Sequence, residues 1–358
     1  MFKIAIDLGY GFVKGINDRG DRICFPSLVA PAFERNFTSA FGVLEDPADI
    51  HTILNYANGN GVQKDLFMGN LALKSSKASY SFDKNKIDTE STQMLLATAA
   101  SMLTANVNEP IHLITGLPLD YYITQQRQFE ESLLNFYVAL EHFAGEFKGH
   151  RANIKFDKVT VYLQGGASIY PCLMDVHGMP KRRDLLGSGE LLAVVNLGFY
   201  TLDVIVFQAG QTFEPKEEGF SFSLDTEVGM AELRKMAGEA FFQKTKSRLT
   251  MPQIEAILKK GGKQTFEGIN VDISDEISAF KATLAQVILN HIRSKWGSQQ
   301  SFIHTVFFCG GGAEELRPHL EGFHYNQEII EESQFADAVG YLIHGRIEEY
   351  KAKMNKIL

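Results

Sequence analysis

An internal repeat of a strand–turn–strand pattern constrains this chain more than any other feature of its sequence. The first copy begins at Phe2, where an apolar strand ends at Asp7, glycines permit a tight turn and apolar residues resume. The second copy begins at Leu192, about 190 residues further along the chain. The two copies align with Asn196-Leu197-Gly198-Phe199 on Asp7-Leu8-Gly9-Tyr10. Two strands that open with the same hairpin predict two similar α/β domains.

The segments that follow each hairpin alternate between helical and strand patterns. In the first half we predict a helix at Glu90–Thr104, a strand at Ile111–Thr115 and a long helix from Tyr122 to Phe143. In the second half we predict helices at Thr226–Lys244 and Ser274–Trp296, a strand at Phe302–Phe308, and helices that open at Gly312 and Phe335. This alternation is typical of α/β domains in which helices pack on a mixed sheet.

Two polar segments interrupt the alternation. The first, about residues 31–88, is rich in Asn, Asp, Ser and Gly and has only short strand candidates such as Leu66–Met68, so we interpret it as a small inserted subdomain. The second, about residues 246–272, contains a helix that Pro252 starts and Gly261-Gly262 ends. Subdomains inserted at equivalent places would flank a cleft between the two halves.

The charge balance argues against several classes of partner. The chain has 35 basic and 43 acidic residues, a formal net charge of −8. Nucleic acids and anionic membranes are bound through clustered Lys and Arg, so we expect this chain to bind neither unaided. The short basic runs at Lys181–Arg183 and Lys259–Lys260 are typical of solvated loops.

The cysteines and the hydropathy pattern indicate a cellular compartment. Cys24, Cys172 and Cys309 are odd in number and lack C-x-x-C spacing, which favours neither a disulfide framework nor a zinc site. No apolar run reaches the ~18 residues of a membrane span, and the strand at Phe2 follows Met1 without a signal-peptide core. We therefore expect a protein of the reducing cytoplasm that is neither exported nor anchored.

The two glycine turns are the first candidates for chemistry. Backbone N–H groups converge on an anion where no Cβ blocks the approach, so two such turns that face each other would hold a polyphosphate. Asp7 and Asp203 suit a hydrated Mg²⁺, which usually meets only one or two carboxylates. Lys14, on the outgoing strand, would add a point charge for phosphate oxygens. Either turn alone is more often an ordinary hairpin, whereas the repetition favours an anion site.

A third glycine-rich element ends a buried strand at Gly310-Gly311-Gly312 and enters a helix. Three consecutive glycines cost backbone entropy, which favours close approach by a flat or anionic ligand over the alternative of a tight strand–helix turn. No G-x-x-x-x-G-K-[ST] motif occurs, and neither Gly9-x-Gly11 nor Gly187-x-Gly189 extends into G-x-G-x-x-G. The sequence therefore disfavours a P-loop and a Rossmann dinucleotide site.

Taken in chain order, these elements carry a family resemblance. They resemble the five nucleotide-site elements of the actin, sugar kinase and heat-shock chaperone ATPase superfamily, namely Asp7-x-Gly9…Lys14, Leu163-Gln164-Gly165-Gly166-Ala167, Asn196-Leu197-Gly198-x-x-Thr201-x-Asp203, Gly310-Gly311-Gly312-Ala313 and Gln334-Phe335-Ala336-Asp337-Ala338-x-Gly340. Two further stretches resemble ParM/StbA-type bacterial actins, which segregate plasmids: Phe67-Met68-Gly69-Asn70-Leu71-Ala72 and Ile114-Thr115-Gly116-Leu117-Pro118. The resemblance covers nearly the whole chain.

The resemblance implies an α/β, actin-like fold of two duplicated ribonuclease-H-like lobes, with small inserted subdomains that flank a nucleotide cleft. Lobe I would comprise residues 1–163 and 336–358, and lobe II residues 164–335. The hinge candidates are the two crossings, near Gln164–Ala167 and Ala336–Gly340.

The resemblance also implies a function. The chain would be a nucleotide-dependent, filament-forming ATPase or GTPase whose subunits associate head to tail in a helical filament. It would act in the bacterial cytoplasm and segregate plasmid DNA through a basic DNA-binding adaptor, without direct contact to nucleic acid or membrane.

Carried over by position, the resemblance gives roles to residues of both turns. Asp7, together with Asp203 through water, would orient the water shell of Mg²⁺, and Gln164 would orient the attacking water. The two turns would hold the phosphates through Gly9, Tyr10, Gly11 and Lys14 in the first and Asn196, Gly198 and Thr201 in the second. The nucleoside would contact Gly310, Gly311 and Gly312, with Thr226 and Gly229 as candidates for the ribose or base. Catalysis of this kind is mostly positioning and charge neutralisation.

One position departs from the family pattern. The second phosphate turn of the family normally starts with Asp, and this chain has Asn196. An amide keeps the shape and donates a hydrogen bond to phosphate, but it removes one negative charge near the metal and cannot take a proton. We hypothesise that Asp203 and Gln164 share the water-positioning role and that hydrolysis is slow relative to filament growth. The alternative is a filament scaffold that binds nucleotide and hydrolyses it weakly.

Two other functions stay open. A small-molecule, sugar-type kinase of the same superfamily needs a general-base Asp beside a sugar pocket. Asp120 is a candidate, although an acid after a strand-end Pro is more often a helix cap. The other option is a structural scaffold that binds no nucleotide.

Overall fold

The computed structural model of the chain describes residues 1–34, 46–56, 63–75, 77–80, 89–210, 212–216, 218–224 and 228–355. The chain divides into two compact units. Unit one comprises Met1–Gln164 and Ala338–Leu358, and unit two comprises Gly165–Asp337.

The strands and helices of the described residues are numbered in chain order. The strands are β1 Phe2–Leu8, β2 Phe12–Asn17, β3 Arg22–Pro26, β4 Leu28–Pro31, β5 Ile50–Tyr56, β6 Gln63–Met68, β7 Ser79–Tyr80, β8 Ile111–Leu117, β9 Val138–His142, β10 Arg151–Ile154, β11 Lys158–Leu163, β12 Leu191–Leu197, β13 Leu202–Ala209, β14 Phe213–Lys216, β15 Phe222–Leu224, β16 Lys263–Phe266, β17 Ile269–Asp272, β18 Ile303–Cys309 and β19 Gln327–Ile329. The helices are α1 Gly69–Ala72, α2 Glu90–Leu103, α3 Leu119–Leu134, α4 Ile169–Leu173, α5 Met230–Thr245, α6 Met251–Lys259, α7 Ser274–Trp296, α8 Gly311–Glu315, α9 Arg317–Leu320 and α10 Ala336–Met354.

Unit one contains two sheets. The first has the strand order β11-β8-β1-β2-β3, with β1, β8 and β11 parallel and β2 and β3 antiparallel to their neighbours. The second is antiparallel and has the order β10-β9-β5-β6-β4-β7. The second sheet therefore combines β5, β6 and β7 from residues 31–88 with β4, which precedes them, and with β9 and β10, which were not predicted from the sequence.

The predicted helix from Tyr122 to Phe143 is wrong over its second half. Helix α3 ends at Leu134, and the side chain of Asn135 donates a hydrogen bond to the Glu131 carbonyl at 2.9 Å. The following residues form β9, in which buried and partly exposed positions alternate with a period of two. That alternation is a strand signal, and β9 pairs with β5 and β10 in the second sheet.

Unit two repeats the strand arrangement of the first sheet of unit one. Its sheet has the order β14-β13-β12-β18-β19, and β15 also pairs with β13. Strand β12 is antiparallel to β13 and parallel to β18, just as β1 is antiparallel to β2 and parallel to β8. The core of this unit packs α5 and α7 against the sheet, with Leu233, Phe241, Ile288 and Trp296 fully buried.

The structure confirms the predicted α/β class, in which helices pack on mixed sheets. The predicted helices at Glu90–Thr104 and Ser274–Trp296 correspond to α2 and α7, and the strand predicted at Phe302–Phe308 corresponds to β18. None of the helices in the described ranges combines the length and the hydrophobicity of a membrane span.

Candidate functional site

Three parallel strands of unit one end beside the first glycine turn. Strand β1 pairs with β8 so that Ile6 lies opposite Thr115, and β8 pairs with β11 so that Leu117 lies opposite Leu163. Gln164 follows β11 directly, and its backbone N–H donates to the Leu117 carbonyl at 2.8 Å. The carboxyl ends of parallel strands are where ligands bind in α/β sheets.

At this edge Asp7 is buried and both of its carboxylate oxygens accept hydrogen bonds. Lys14, which lies opposite Asp7 in the β1–β2 register, donates from Nζ to Oδ2 at 2.8 Å. Gln164 donates from Nε2 to Oδ1 at 2.9 Å. The three predicted residues thus form one hydrogen-bonded group. Because the side chains of Asp7 and Lys14 are only 5% and 14% exposed, this ion pair lies largely out of water.

The backbone of the first turn is fixed by a residue that the sequence analysis missed. Ser27 donates from Oγ to the Gly9 carbonyl at 2.5 Å, and from its backbone N–H to the Gly11 carbonyl at 2.9 Å. Gly9 itself has no room for a side chain, since a Cβ there would lie 2.8 Å from both Lys14 Nζ and the Phe12 carbonyl oxygen. Tyr10 occupies the bend between the two glycines. The turn is therefore rigid and keeps Lys14 close to its backbone.

The second hairpin has the same register but different side chains. Asn196 lies opposite Asp203, as Asp7 lies opposite Lys14 in the first hairpin. Asp203 is buried and accepts hydrogen bonds from the hydroxyl groups of Thr201 at 3.0 Å and Ser223 at 2.6 Å. The turn closes through the Gly198 N–H, which donates to the Thr201 carbonyl at 2.8 Å. Next to it, burial raises the pKa of Tyr200 to about 12, so its phenol stays neutral.

Asn196 is fixed from two sides. Its Nδ2 donates to Oδ2 of the buried Asp337 at 2.8 Å. On the other side is Gly310, whose φ of +85° belongs to the left-handed region that favours glycine. A Cβ at Gly310 would lie 2.3 Å from Asn196 Oδ1 and 2.5 Å from the Leu197 carbonyl oxygen.

The other predicted glycines gather at the same turn. A Cβ at Gly312 would lie 2.8 Å from the Leu197 Cβ, and one at Gly229 would lie 2.4 Å from the Phe199 carbonyl oxygen. Gly229 precedes α5, and the second N–H of that helix donates to the Phe199 carbonyl at 2.7 Å. Gly311 is more open, because a Cβ there would approach only Gln334, at 3.9 Å. Thr226 lies outside the described residues.

The structure thus brings the predicted residues together in two groups, one in each unit. The first comprises Asp7, Gly9, Tyr10, Gly11, Lys14 and Gln164, and the second comprises Asn196, Gly198, Thr201, Asp203, Gly229, Gly310, Gly311 and Gly312. Asp337, Ser27 and Ser223 received no role from the sequence. Asp337 is part of the last motif of the family resemblance, which was the available signal, whereas no motif contains either serine.

The donor set fits a magnesium nucleotide. Within the part of the chain that the structure describes, no three His, Cys, Asp or Glu side chains gather to coordinate a metal ion directly. Asp7 and Asp203 instead offer one buried carboxylate each, which suits Mg²⁺ that keeps most of its water ligands. At Gly9 and Gly310 the chain's own atoms fill the space that a Cβ would take, so these two turns require glycine.

Family models match two consecutive parts of the chain. The model of the actin-like protein N-terminal domain matches residues 5–166, and the C-terminal model of the archaeal MreB-like actin homologues matches residues 194–322. An archaeal actin homologue of Thermoplasma volcanium is 25% identical over an alignment of 358 positions. The alignment covers 95% of this chain and 98% of that protein.

Solved structures of actin-like proteins are similar over nearly the whole chain. A ParM subunit from a 15-stranded filament of Clostridium botulinum has a TM-score of 0.84 and 29% identity, covering 97% of this chain and 99% of its own. An archaeal actin homologue in complex with ADP has a TM-score of 0.75 at 19% identity, with 97% and 100% covered, and shows the same fold. The predicted actin-like fold is therefore confirmed. The chain therefore has the fold of the actin-like proteins, its two halves match family models of actin homologues, and it is similar to ParM and to the archaeal actin homologues.

Proposed function

We propose that this chain binds ATP or GTP with Mg²⁺, hydrolyses it and polymerises head to tail into a nucleotide-dependent filament. The main observation behind the proposal is that the same hairpin register occurs in both units, with a cation at one position of the first hairpin and a carboxylate at the equivalent position of the second. Asp7 lies opposite Lys14 in unit one, and Asn196 lies opposite Asp203 in unit two. Each hairpin has a turn that contains a glycine, Gly9 or Gly198, and the backbone N–H groups of such turns converge on anions.

Different residues of the chain have different roles in the proposed phosphoryl transfer. Lys14 and the amides of the two turns neutralise charge on the phosphates. The Gln164 amide and the Asp203 carboxylate orient the attacking water, and Asp7 holds both Gln164 and Lys14 in place. Mg²⁺, held through water by Asp7 and Asp203, would supply charge neutralisation on the transferred phosphoryl group. The glycines at 229 and 310–312 accept the nucleoside.

Similar proteins of known structure support the proposals of nucleotide binding and filament formation. One relative was solved with ADP, and another as the subunit of a 15-stranded filament. Head-to-tail association is a heterologous contact, and where the rotation between subunits does not close a ring, the contact propagates as a filament. Nucleotide that binds the polymerising conformation more tightly than the free one would drive assembly, and its hydrolysis would remove that bias.

The proposal includes plasmid segregation in the bacterial cytoplasm through a basic DNA-binding adaptor. The net charge of −8 opposes direct binding to the DNA phosphates, so the contact to DNA requires a partner that supplies Lys and Arg. Three unpaired cysteines suit a reducing compartment. In a gel-shift assay at physiological salt we expect the chain alone to leave duplex DNA unbound. Tight binding would contradict the proposal that contact to DNA requires an adaptor.

Phosphate release tests the nucleotide chemistry. The purified chain should release phosphate from ATP or GTP in the presence of Mg²⁺ without any sugar or other acceptor. Asp203→Asn should lower this rate by at least about tenfold, because it removes a charge that orients water. Asp184→Asn is the matched control, since it changes an exposed carboxylate that pairs with Arg182. Turnover that requires a sugar would favour the kinase alternative, and failure to bind nucleotide would favour a structural scaffold.

A further inference from the structure

Asp337 is a buried carboxylate that accepts hydrogen bonds from three residues in two other segments of unit two. Both of its oxygens accept from the Gly165 N–H, each at 3.0 Å. Oδ1 also accepts from Ser168 Oγ at 2.9 Å, and Oδ2 accepts from Asn196 Nδ2 at 2.8 Å. Asp337 is 5% exposed and lies in the first turn of α10.

Two of these partners adjoin predicted site residues. Gly165 directly follows Gln164 and has a φ of +80°, and a Cβ there would lie 3.1 Å from the Asp203 Cβ and 3.5 Å from Asn196 Nδ2. Asn196 is the penultimate residue of β12, just before the turn at Gly198. A single carboxylate thus fixes the backbone beside Gln164 and the side chain at the start of the second turn.

The chemistry of this contact determines which side chain fits at position 196. Oδ2 of an ionised Asp337 accepts hydrogen bonds and donates none, so its partner must be a donor. The Asn196 amide is a donor, whereas a carboxylate at the same position would place two negative charges within hydrogen-bond distance in a buried environment. While both groups are ionised, such a pair has no compensating hydrogen bond and is strongly unfavourable, and only uptake of a proton would restore the contact.

We propose that Asp337 is a positioning residue of the nucleotide site, and that its contact requires an amide at position 196 where the family normally has Asp. This inference rests on the proposed function. Asn196 is therefore matched to Asp337, and its amide does not mark a site that has lost activity. The Asn196→Asp change, which would recreate the usual family residue, should damage turnover instead of improving it.

Exchanging the two residues should restore the activity, because the exchanged side chains can form the same hydrogen bond in the opposite direction. In the double variant Asn196→Asp, Asp337→Asn, the amide oxygen at position 337 still accepts from Gly165 and Ser168. The amide nitrogen replaces Oδ2 and donates to the new carboxylate at position 196, at the loss of the second Gly165 N–H contact to Oδ2. With every carboxylate ionised, the pair carries one negative charge in the parent and in the exchanged protein, two in Asn196→Asp and none in Asp337→Asn.

The experiment measures phosphate release, nucleotide KM and thermal unfolding for the parent, both single variants and the exchanged protein. Rates are taken well below every unfolding midpoint and divided by the folded fraction. Asn290→Asp is the matched control, because it adds the same charge at an exposed position of α7 beside Arg293. Ser168→Ala is a milder variant that removes one hydrogen bond from Asp337 and should still fold.

We expect each single variant to lower kcat by at least about tenfold and the exchange to return kcat to within about threefold of the parent. Asn290→Asp should match the parent, and Ser168→Ala should lie between the parent and Asp337→Asn.

Three results would overturn the inference. The first is faster phosphate release in Asn196→Asp. The second is single variants that melt earlier but turn over normally per folded molecule, which would make the role of Asp337 only structural. The third is an exchanged protein that stays as slow as the single variants. A parent chain with no turnover on ATP or GTP would overturn the proposed function itself, and the positioning role with it.

Discussion

Lys14 and Asp203 occupy the same position in the two repeated hairpins and carry opposite charges. Each lies opposite the residue that aligns between the two preceding strands, Asp7 for Lys14 and Asn196 for Asp203. In unit one the cation forms an ion pair with Asp7, whereas in unit two the anion is bound by the hydroxyl groups of Thr201 and Ser223. The duplicated hairpin therefore has a cation in one unit and a carboxylate in the other at equivalent positions, and we propose the first for phosphate oxygens and the second for water.

Replacing Lys14 tests the role of this cation. Lys14→Met leaves the buried Asp7 with Gln164 but without its ion pair, and we expect the free energy of unfolding to fall by about 3 kcal/mol. Phosphate release should fall at least about tenfold, because a charge on the phosphates is lost. Urea denaturation and phosphate release are the two measurements. Lys351→Met, which breaks an exposed pair with Glu348, should change neither, and equal effects in the two variants would argue against a special role for Lys14.

Gln164 is tested by a change that keeps its shape. In Gln164→Glu a carboxylate replaces the amide that donates to Asp7 Oδ1, so two carboxylates meet at 2.9 Å. We expect kcat to drop by about a hundredfold with a smaller change in KM, because the amide acts on the attacking water. Steady-state phosphate release gives both constants, and Gln243→Glu on the exposed side of α5 is the control. Unchanged kcat would exclude the water-positioning role.

Gly310 and Gly322 form a matched pair for the close approach at Asn196. Both have a positive φ, +85° and +76°, but Gly310 combines it with an extended ψ of 166°, and a Cβ at Gly322 meets nothing within 4 Å. Gly322→Ala should cost about 1 kcal/mol from backbone strain alone. Gly310→Ala should cost at least about 2 kcal/mol more, because its Cβ collides with Asn196 Oδ1. Similar unfolding midpoints for the two variants would mean that the contact is loose.

His142 predicts a pH dependence of stability in unit one. Burial, with a smaller effect from His150, lowers its pKa from 6.5 to about 4, and its ring nitrogen lies 2.9 Å from Ser101 Oγ. Because the unfolded chain takes up a proton between pH 6.5 and 4 while the folded chain does not, stability is complete above pH 6.5 and falls as the pH drops. We expect this residue to contribute about 2 kcal/mol to that loss. Denaturation curves at pH 7, 6 and 5 should show a shallower loss for His142→Gln and the parent slope for His177→Gln, which changes an exposed histidine. Parallel slopes in all three proteins would contradict the assignment to His142.

Local sequence patterns were sufficient to predict the hairpins and helices α2 and α7, whereas most of the candidate residues came from the family resemblance. The reason is that the turns at Gly9 and Gly198 depend on contacts within a few residues, and α7 has clear periodicity over 23 residues. The end of α3 and strand β9 were missed because β9 is stabilised by pairing with β5, which is distant in sequence.

The hydrogen bonds around the candidate site were beyond sequence reasoning for the same physical reason. Asp337 contacts Gly165 across 172 positions and Asn196 across 141, so no local pattern joins them. The departure at Asn196 was visible from the resemblance, but its partner was not. A residue choice that depends on a side chain distant in sequence can be explained only when the fold is known.

Sedimentation with a non-hydrolysable ATP analogue tests the central claim most directly. The purified chain with Mg²⁺ and the analogue should pellet as polymer, stay in the supernatant without nucleotide, and return to it after ATP has been consumed. Lys14→Met should remain in the supernatant at analogue concentrations that pellet the parent. A chain that pellets equally with and without nucleotide, or that pellets under neither condition while binding the analogue, would contradict the account of a nucleotide-driven filament.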